Sequence, residues 1–297
     1  MSFTTITEDI HYYDSAVNIG YVKKGSTGLL IDAGIDRSAA KKVMKEIEEK
    51  NWPLTHLFIT HAHADHYGGA AFVRNKYKVE TWAPPLEAAI MEHPVIEPLY
   101  LHGGNDPLPE MRNKFLEGPP VTIDMLREEG EVRIGDIHAN VFILPGHSYR
   151  QAGLVIDGIL FAADSYFGVD YLHKHKIPYI TDAHLQLETL NRLLDMEVSG
   201  AVPGHGEFEN NFRDTVKENI KYHQEAMDWV EGFIKEEEEV SHETLVAAMC
   251  EAYDVSVTKM PAWMLYRTAV TAYINGLLRN EKISGYLKDY RWTFSIL

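Results

Sequence analysis

Between Thr60 and Gly69 the chain reads THAHADHYGG, which sets His61, His63, Asp65 and His66 within six consecutive positions. A cluster of this kind arises by chance in roughly two of a thousand sequences of this length, so it reads as a ligand motif and not as a polar loop. Residues two apart point about 200° apart on a helix, so His61 and His63 can converge only if the segment is a tight loop. Imidazole and carboxylate donors suit zinc, iron or manganese, and no cysteine lies nearby to build a closed thiolate site.

These donors need elements to hold them. The apolar run LFIT ends at the histidine cluster, NVFILPG ends at His147, GILFAA ends at Asp164 and GAVPG ends at His205. Short apolar runs closed by proline, glycine or a turn are buried strands, and functional groups of layered α/β structures gather on the loops at one sheet edge. Four strand ends therefore offer seven donors, more than the four that one tetrahedral ion takes, which suggests two metal ions.

Around them, NIGYVKKGSTGLLIDAG predicts two strands about the turn Lys24-Gly25-Ser26, and DRSAAKKVMKEIEEKNW predicts a helix burying Ala40, Val43, Met44 and Ile47. Residues 94–125 carry six prolines and little periodicity, which reads as a lid, a binding loop or a surface excursion. After His205 the pattern turns helical. A long helix with Phe212, Val216, Ile220, Met227, Val230 and Phe233 on one stripe is followed by a helix behind Ser241, another over PAWMLYRTAVTAYINGLLRNEKI and a hairpin around Lys288-Asp289. The expected division is a catalytic domain over 1–206 and a smaller, mainly helical domain over 207–297.

The segments THAHADH, PGH, AAD and PGH, in this order, resemble the ligand motifs of the metallo-β-lactamase superfamily over residues 10–206. The resemblance implies an αββα sandwich with its site at one sheet edge. It implies that His61, His63 and His147 hold one ion, that Asp65, His66 and His205 hold the other, and that Asp164 bridges them, with Asp32 as a support behind the ligands. His63, where oxygen-reducing diiron members carry glutamate, aligns the chain with the hydrolytic branch. Two divalent ions, zinc foremost with iron or manganese as alternatives, would make a bridging hydroxide available near neutral pH and polarise a scissile carbonyl. Asp65 would orient that hydroxide, and Tyr166 could donate to an oxyanion or leaving group, although ordinary packing competes with that role. His173 and His175 read more simply as a solvated edge than as cavity residues.

The stretch LPGHSYRQAGLVIDGILFAADSYFG is similar to glyoxalase II, without the second histidine those enzymes often carry after PGH. The expected activity is hydrolysis of a small ester, thioester or lactone. The alternatives are a phosphodiesterase or endoribonuclease using the same metals and a single-iron persulfide dioxygenase. The two C-terminal helices and hairpin resemble a winged-helix appendage, and residues 259–291 hold six basic against two acidic side chains. The segment from 206 onward is nevertheless acidic overall, with ten basic and sixteen acidic residues, so packing or formation of a homodimer is favoured over nucleic acid. A net charge of -16 disfavours anionic polymers and acidic membranes, a lone Cys250 fits a reducing cytoplasm, and no apolar run approaches membrane-spanning length. A small-molecule substrate is the expected partner.

Overall fold

The computed structural model describes residues 2–297. Its first sheet runs in chain order through β1 (Phe3–Thr5), β2 (Ile10–Tyr13), β3 (Ile19–Lys24), β4 (Thr27–Ile31), β5 (His56–Phe58), β6 (Glu80–Ala83) and β7 (Met125–Leu126). The first four pair antiparallel and the rest parallel. The second sheet comprises β8 (Gly130–Ile134), β9 (Ile137–Ile143), β10 (Ala152–Ile156), β11 (Ile159–Ala163) and β12 (Gly200–Pro203), in the order β12-β11-β10-β9-β8.

Side-chain alternation builds four layers from these sheets. On β4, Leu29 and Ile31 face the second sheet and pack with Val141, Leu154 and Phe161, whereas Leu30 faces outward. There it meets Val43, Met44 and Ile47 of α1 (Arg37–Glu49) and Val73 of α3 (Ala70–Tyr77), separated by the short α2 (Ala64–Tyr67). Asp36 starts α1 by accepting from the Ser38 and Ala39 N–H groups. On β11, Phe161 points between the sheets while Leu160 points out. Leu160 packs with Leu190 and Leu193 of α7 (Ala183–Asp195) and with Phe212 and Val216 of α8 (Phe212–Glu237). Each helix pair covers one outer sheet face, giving the αββα arrangement.

The chain between β6 and β7 holds α4 (Pro85–Glu92), α5 (Ile96–Leu101) and a 3-10 turn at Pro109–Met111. Leu101, Met111 and Leu116 of this proline-rich stretch pack on Tyr179 and on Met260, Met264 and Leu265 of a C-terminal helix. It is therefore a wall docked on the C-terminal part. The helix α6 (Val169–His175) leads to Ile177 and Ile180, which join the C-terminal core of α8, α9 (His242–Ala252) and α10 (Met260–Arg279). A three-stranded sheet of β13 (Val240–Ser241), β14 (Ile283–Lys288) and β15 (Arg291–Ile296) completes a winged-helix-like unit. Its hairpin turns at Asp289-Tyr290, one residue beyond the expected position, and both residues have positive φ. No described helix is long and apolar enough to cross a membrane.

Candidate metal centre

Every donor named from the sequence lies just beyond a strand end, and the two sheets bring these ends together. His61 and His63 follow β5, and Asp65 and His66 occupy the single turn α2. His147 follows β9, Asp164 directly follows β11 and His205 follows β12. Ligating atoms of His61, His63 and His147 lie within 4.8 Å of one another, as do those of Asp65, His66 and His205. A third grouping within the same limit, His61, His66 and Asp164, shares members with both.

Asp164 sits between the triads. Its Oδ1 is 3.3 Å from His66 Nε2, and its Oδ2 is 3.3 Å from His147 Nε2 and 3.4 Å from His205 Nε2. The far side of every ligand imidazole except that of His63 is occupied by oxygen, which fixes the inward nitrogen as the free one. His66 Nδ1 donates to Asp32 Oδ2 at 2.8 Å, His147 Nδ1 to the Tyr179 carbonyl at 2.9 Å and His205 Nδ1 to the Ala16 carbonyl at 2.8 Å. The Thr60 hydroxyl donates to Asp32 and faces His61 Nδ1 at 3.0 Å. Asp32, in the left-handed region at φ 65, thus steadies two ligands at once.

The donor set fits cations. His61 Nε2 and His147 Nε2 stand 3.1 and 2.8 Å from His63 Nδ1, so three nitrogen lone pairs converge. His66 Nε2 and Asp164 Oδ1 are fully buried without a hydrogen-bond partner, as befits atoms that share an ion. Burial, joined by the neighbouring imidazoles, pushes His61 well below its ordinary range and His63 down to about 3, so both are neutral and ready to ligate. His205 is pushed the other way, to about 10: burial opposes its charge, but Asp164 and Asp65 outweigh burial. A cation would displace the proton that these carboxylates hold there.

Loops behind the ligands are pinned by side chains that no spacing in the sequence reveals. Glu87, 1% exposed, accepts from the Ala62 N–H, the Ser148 hydroxyl and the Arg150 N–H, joining the His61–His63 and His147 loops. Asn18 Nδ2 donates to the Pro203 carbonyl, securing the His205 loop. Asn219 of α8 accepts from the Phe167 N–H and donates to the Phe167 carbonyl, holding the segment beyond Asp164. Gln151 accepts from the Asp164 N–H. Long-range partners of this kind carry no local signature.

A cavity of about 510 Å³ opens over the centre. His63, Asp65, His147, Asp164 and His205 line it, with His61 and His66 buried behind. Its walls are mostly apolar, including Val17, Ile19, Val43, Phe115, Leu116, Phe167 and Leu265, with Lys42 as a cation and Glu97 as a buried acid. His175 also lines it, against the solvated-edge expectation, while His173 is exposed and sets its ring edge-on against Tyr222 at 5.3 Å.

The donor role expected for Tyr166 is corrected. The ring is 0% exposed among Leu144, Leu160, Leu190 and Phe212, beneath the second sheet and away from the cavity. Its hydroxyl faces Glu209 without closing a hydrogen bond, and burial, then Glu209, pushes the phenol well above its ordinary range. Tyr166→Phe is expected to leave kcat within about twofold and to change stability by less than about 1 kcal/mol, since an unmade hydrogen bond contributes nothing. Turnover and thermal midpoint of the variant check this.

The profile of the Metallo-beta-lactamase superfamily matches residues 12–205. A hydroxyacylglutathione hydrolase of Rhodopseudomonas palustris (strain BisB5) is 31% identical over 156 residues, 51% of this chain and 49% of that protein. A second, from strain ATCC BAA-98 / CGA009, is 29% identical over 58% of each chain. The matched part thus spans about half the length of these curated relatives. Among solved structures, a beta-lactamase domain protein from Burkholderia ambifaria superposes with a TM-score of 0.74 at 18% identity, covering 99% of this chain and 93% of that one. A metallo-beta-lactamase family protein from Thermus thermophilus gives 0.71 at 16% identity, covering 94% and 93%. Both likenesses concern the fold. With most of its length, and all seven donors, inside the matched region, the chain belongs to the metallo-beta-lactamase superfamily.

Proposed function

We propose that the chain is a dinuclear metal-dependent hydrolase of small acyl compounds, thioesters first, with esters and lactones as neighbouring substrates. The observation that carries this reading is the placement of Asp164 between two ligand triads at the floor of a largely apolar cavity. The thioester preference draws on the relatives' names as hydroxyacylglutathione hydrolases. Two divalent ions, zinc foremost, would supply an activated water and polarise the scissile carbonyl.

The chain's own groups do the rest. Asp164 keeps the two triads in register, and Asp65, which faces the cavity with Oδ2 3.5 Å from His205 Nε2, orients the attacking water and holds its proton. Val17, Ile19 and Leu265 receive an apolar acyl group and exclude bulk water. Lys42, on α1, offers its charge to an anionic part of the leaving group. Such an enzyme, acting on a diffusible metabolite, suits the cytoplasm.

Metal loading tests the reading. Protein stripped by chelator and reloaded with zinc, iron or manganese is expected to retain close to two ions per chain after dialysis and to hydrolyse acyl thioesters only when loaded. A content that stays at one ion with every metal would sink the dinuclear assignment, and a loaded protein inert on thioesters, esters and lactones alike would sink the hydrolase.

A further inference from the structure

We propose that Glu97 is a specificity residue: its carboxyl takes a neutral hydrogen-bond donor, an amide N–H or a hydroxyl, carried on the acyl portion of the substrate. This deepens the hydrolase reading and rests on it.

Glu97 lies in the first turn of α5 and is 3% exposed, yet it lines the cavity over the metal centre. Its Oε2 is sealed from solvent and has no hydrogen-bond partner. Glu87 gives the measure of how unusual this is. That carboxyl is equally buried, and three donors from the chain satisfy it. Buried polar groups are nearly always paired, and one left open beside a ligand cavity calls for a partner that comes with the ligand. After burial itself, the groups acting on Glu97 are acidic, Asp65 and Glu87, and together they push its carboxyl well above the ordinary range. A neutral carboxyl can both accept from and donate to a neutral polar group.

Three further observations narrow the partner. Lys42 shares the cavity, and two clusters of donors suited to cations form its floor, so an ammonium group would meet like charge. Glu97 acts electrostatically on Tyr179, whose ring stands 5.3 Å from that of His63 and 5.8 Å from that of His147. Glu97, Tyr179, His63 and His147 line the same cavity, so the donor that Glu97 binds belongs to the part of the substrate held inside it. The remaining walls, Val17, Ile19, Val43 and Leu265, suit an alkyl chain.

The test uses the full-length, zinc-loaded protein and three acyl-product probes, octanoate, 2-hydroxyoctanoate and 3-hydroxyoctanoate, titrated calorimetrically. Wild type is expected to bind one hydroxy acid at least about tenfold more tightly than octanoate. Glu97→Leu should erase that preference with little change for octanoate, and Glu97→Gln should keep part of it, because its amide oxygen still accepts. Glu97→Leu should also melt higher than wild type, since it removes an unmatched buried carboxyl, whereas a purely structural glutamate would leave a protein that melts lower. Equal binding of the three acids by wild type, binding of none, or a preference that survives Glu97→Leu would each overturn the proposal. Thioester turnover is read separately. A hydroxyl preference without turnover would sink the hydrolase and leave Glu97 in place, and turnover without the preference would sink Glu97 alone.

Discussion

On the proposed dinuclear reading, Asp164→Asn is expected to leave the chain folded while its metal content falls and turnover drops at least about 10- to 100-fold. The substitution keeps size and removes charge. Asp164 faces His66 with one oxygen and both His147 and His205 with the other, so its carboxylate reaches both triads. An amide offers one oxygen and one N–H donor, and the N–H end would point at a nitrogen that must itself donate electrons to a cation. Metal content by elemental analysis and kcat on the best thioester are the measurements. His184→Asn serves as a control, since His184 lies on α7 with its Nε2 3.4 Å from Glu188. Two retained ions and ordinary turnover in Asp164→Asn would overturn the bridging role proposed for Asp164.

The second large effect comes from one added carbon. A Cβ on Gly204 would overlap Asp164 Oδ1 and lie 3.0 Å from His66 Cε1. The backbone at Gly204 cannot retreat easily, because its N–H donates to the Ala163 carbonyl at 2.6 Å and its carbonyl accepts from the Asn18 N–H at 2.8 Å. Nor can the Asp164 backbone, which is tied to Gln151. The carboxylate must therefore swing out of its position. Gly204→Ala is expected to cost about 1–3 kcal/mol of stability through overpacking. Its larger effect is on activity, which should fall on the order of 100-fold, as with displacement of a reacting group by about an ångström. Unchanged metal content and kcat in a folded Gly204→Ala protein would show that Asp164 tolerates displacement.

Much of the framework was legible because it obeys local periodicity. The four apolar positions expected to be buried on α1 are the four that are buried, and the turn at Lys24-Gly25-Ser26 joins β3 to β4 as expected. The strand-closing motifs deliver their donors to one place because chain direction fixes which end of each strand carries them. Tyr166 failed for a related reason. Ala163 has a positive φ of 49, so the chain turns sharply at the end of β11, and proximity to Asp164 in sequence did not set the direction of the ring. Glu87, Glu97, Tyr179 and Asn219 were invisible to spacing. Each contacts the site from an element far away in the chain, where its neighbours are set by packing and not by period.

Asn219 carries a consequence for how the molecule opens. By taking both backbone groups of Phe167, it makes a helix of the C-terminal part the fastening for the loop that follows Asp164. Loosening that loop removes one attachment of α8, which is also held by the packing of Phe212 and Val216, and releasing α8 frees the loop. This coupling favours opening of the centre together with the C-terminal helix over separate fraying. An ion held there would be guarded by the opening free energy of the coupled loop and helix, and would leave slowly even where the bonds to it exchange fast.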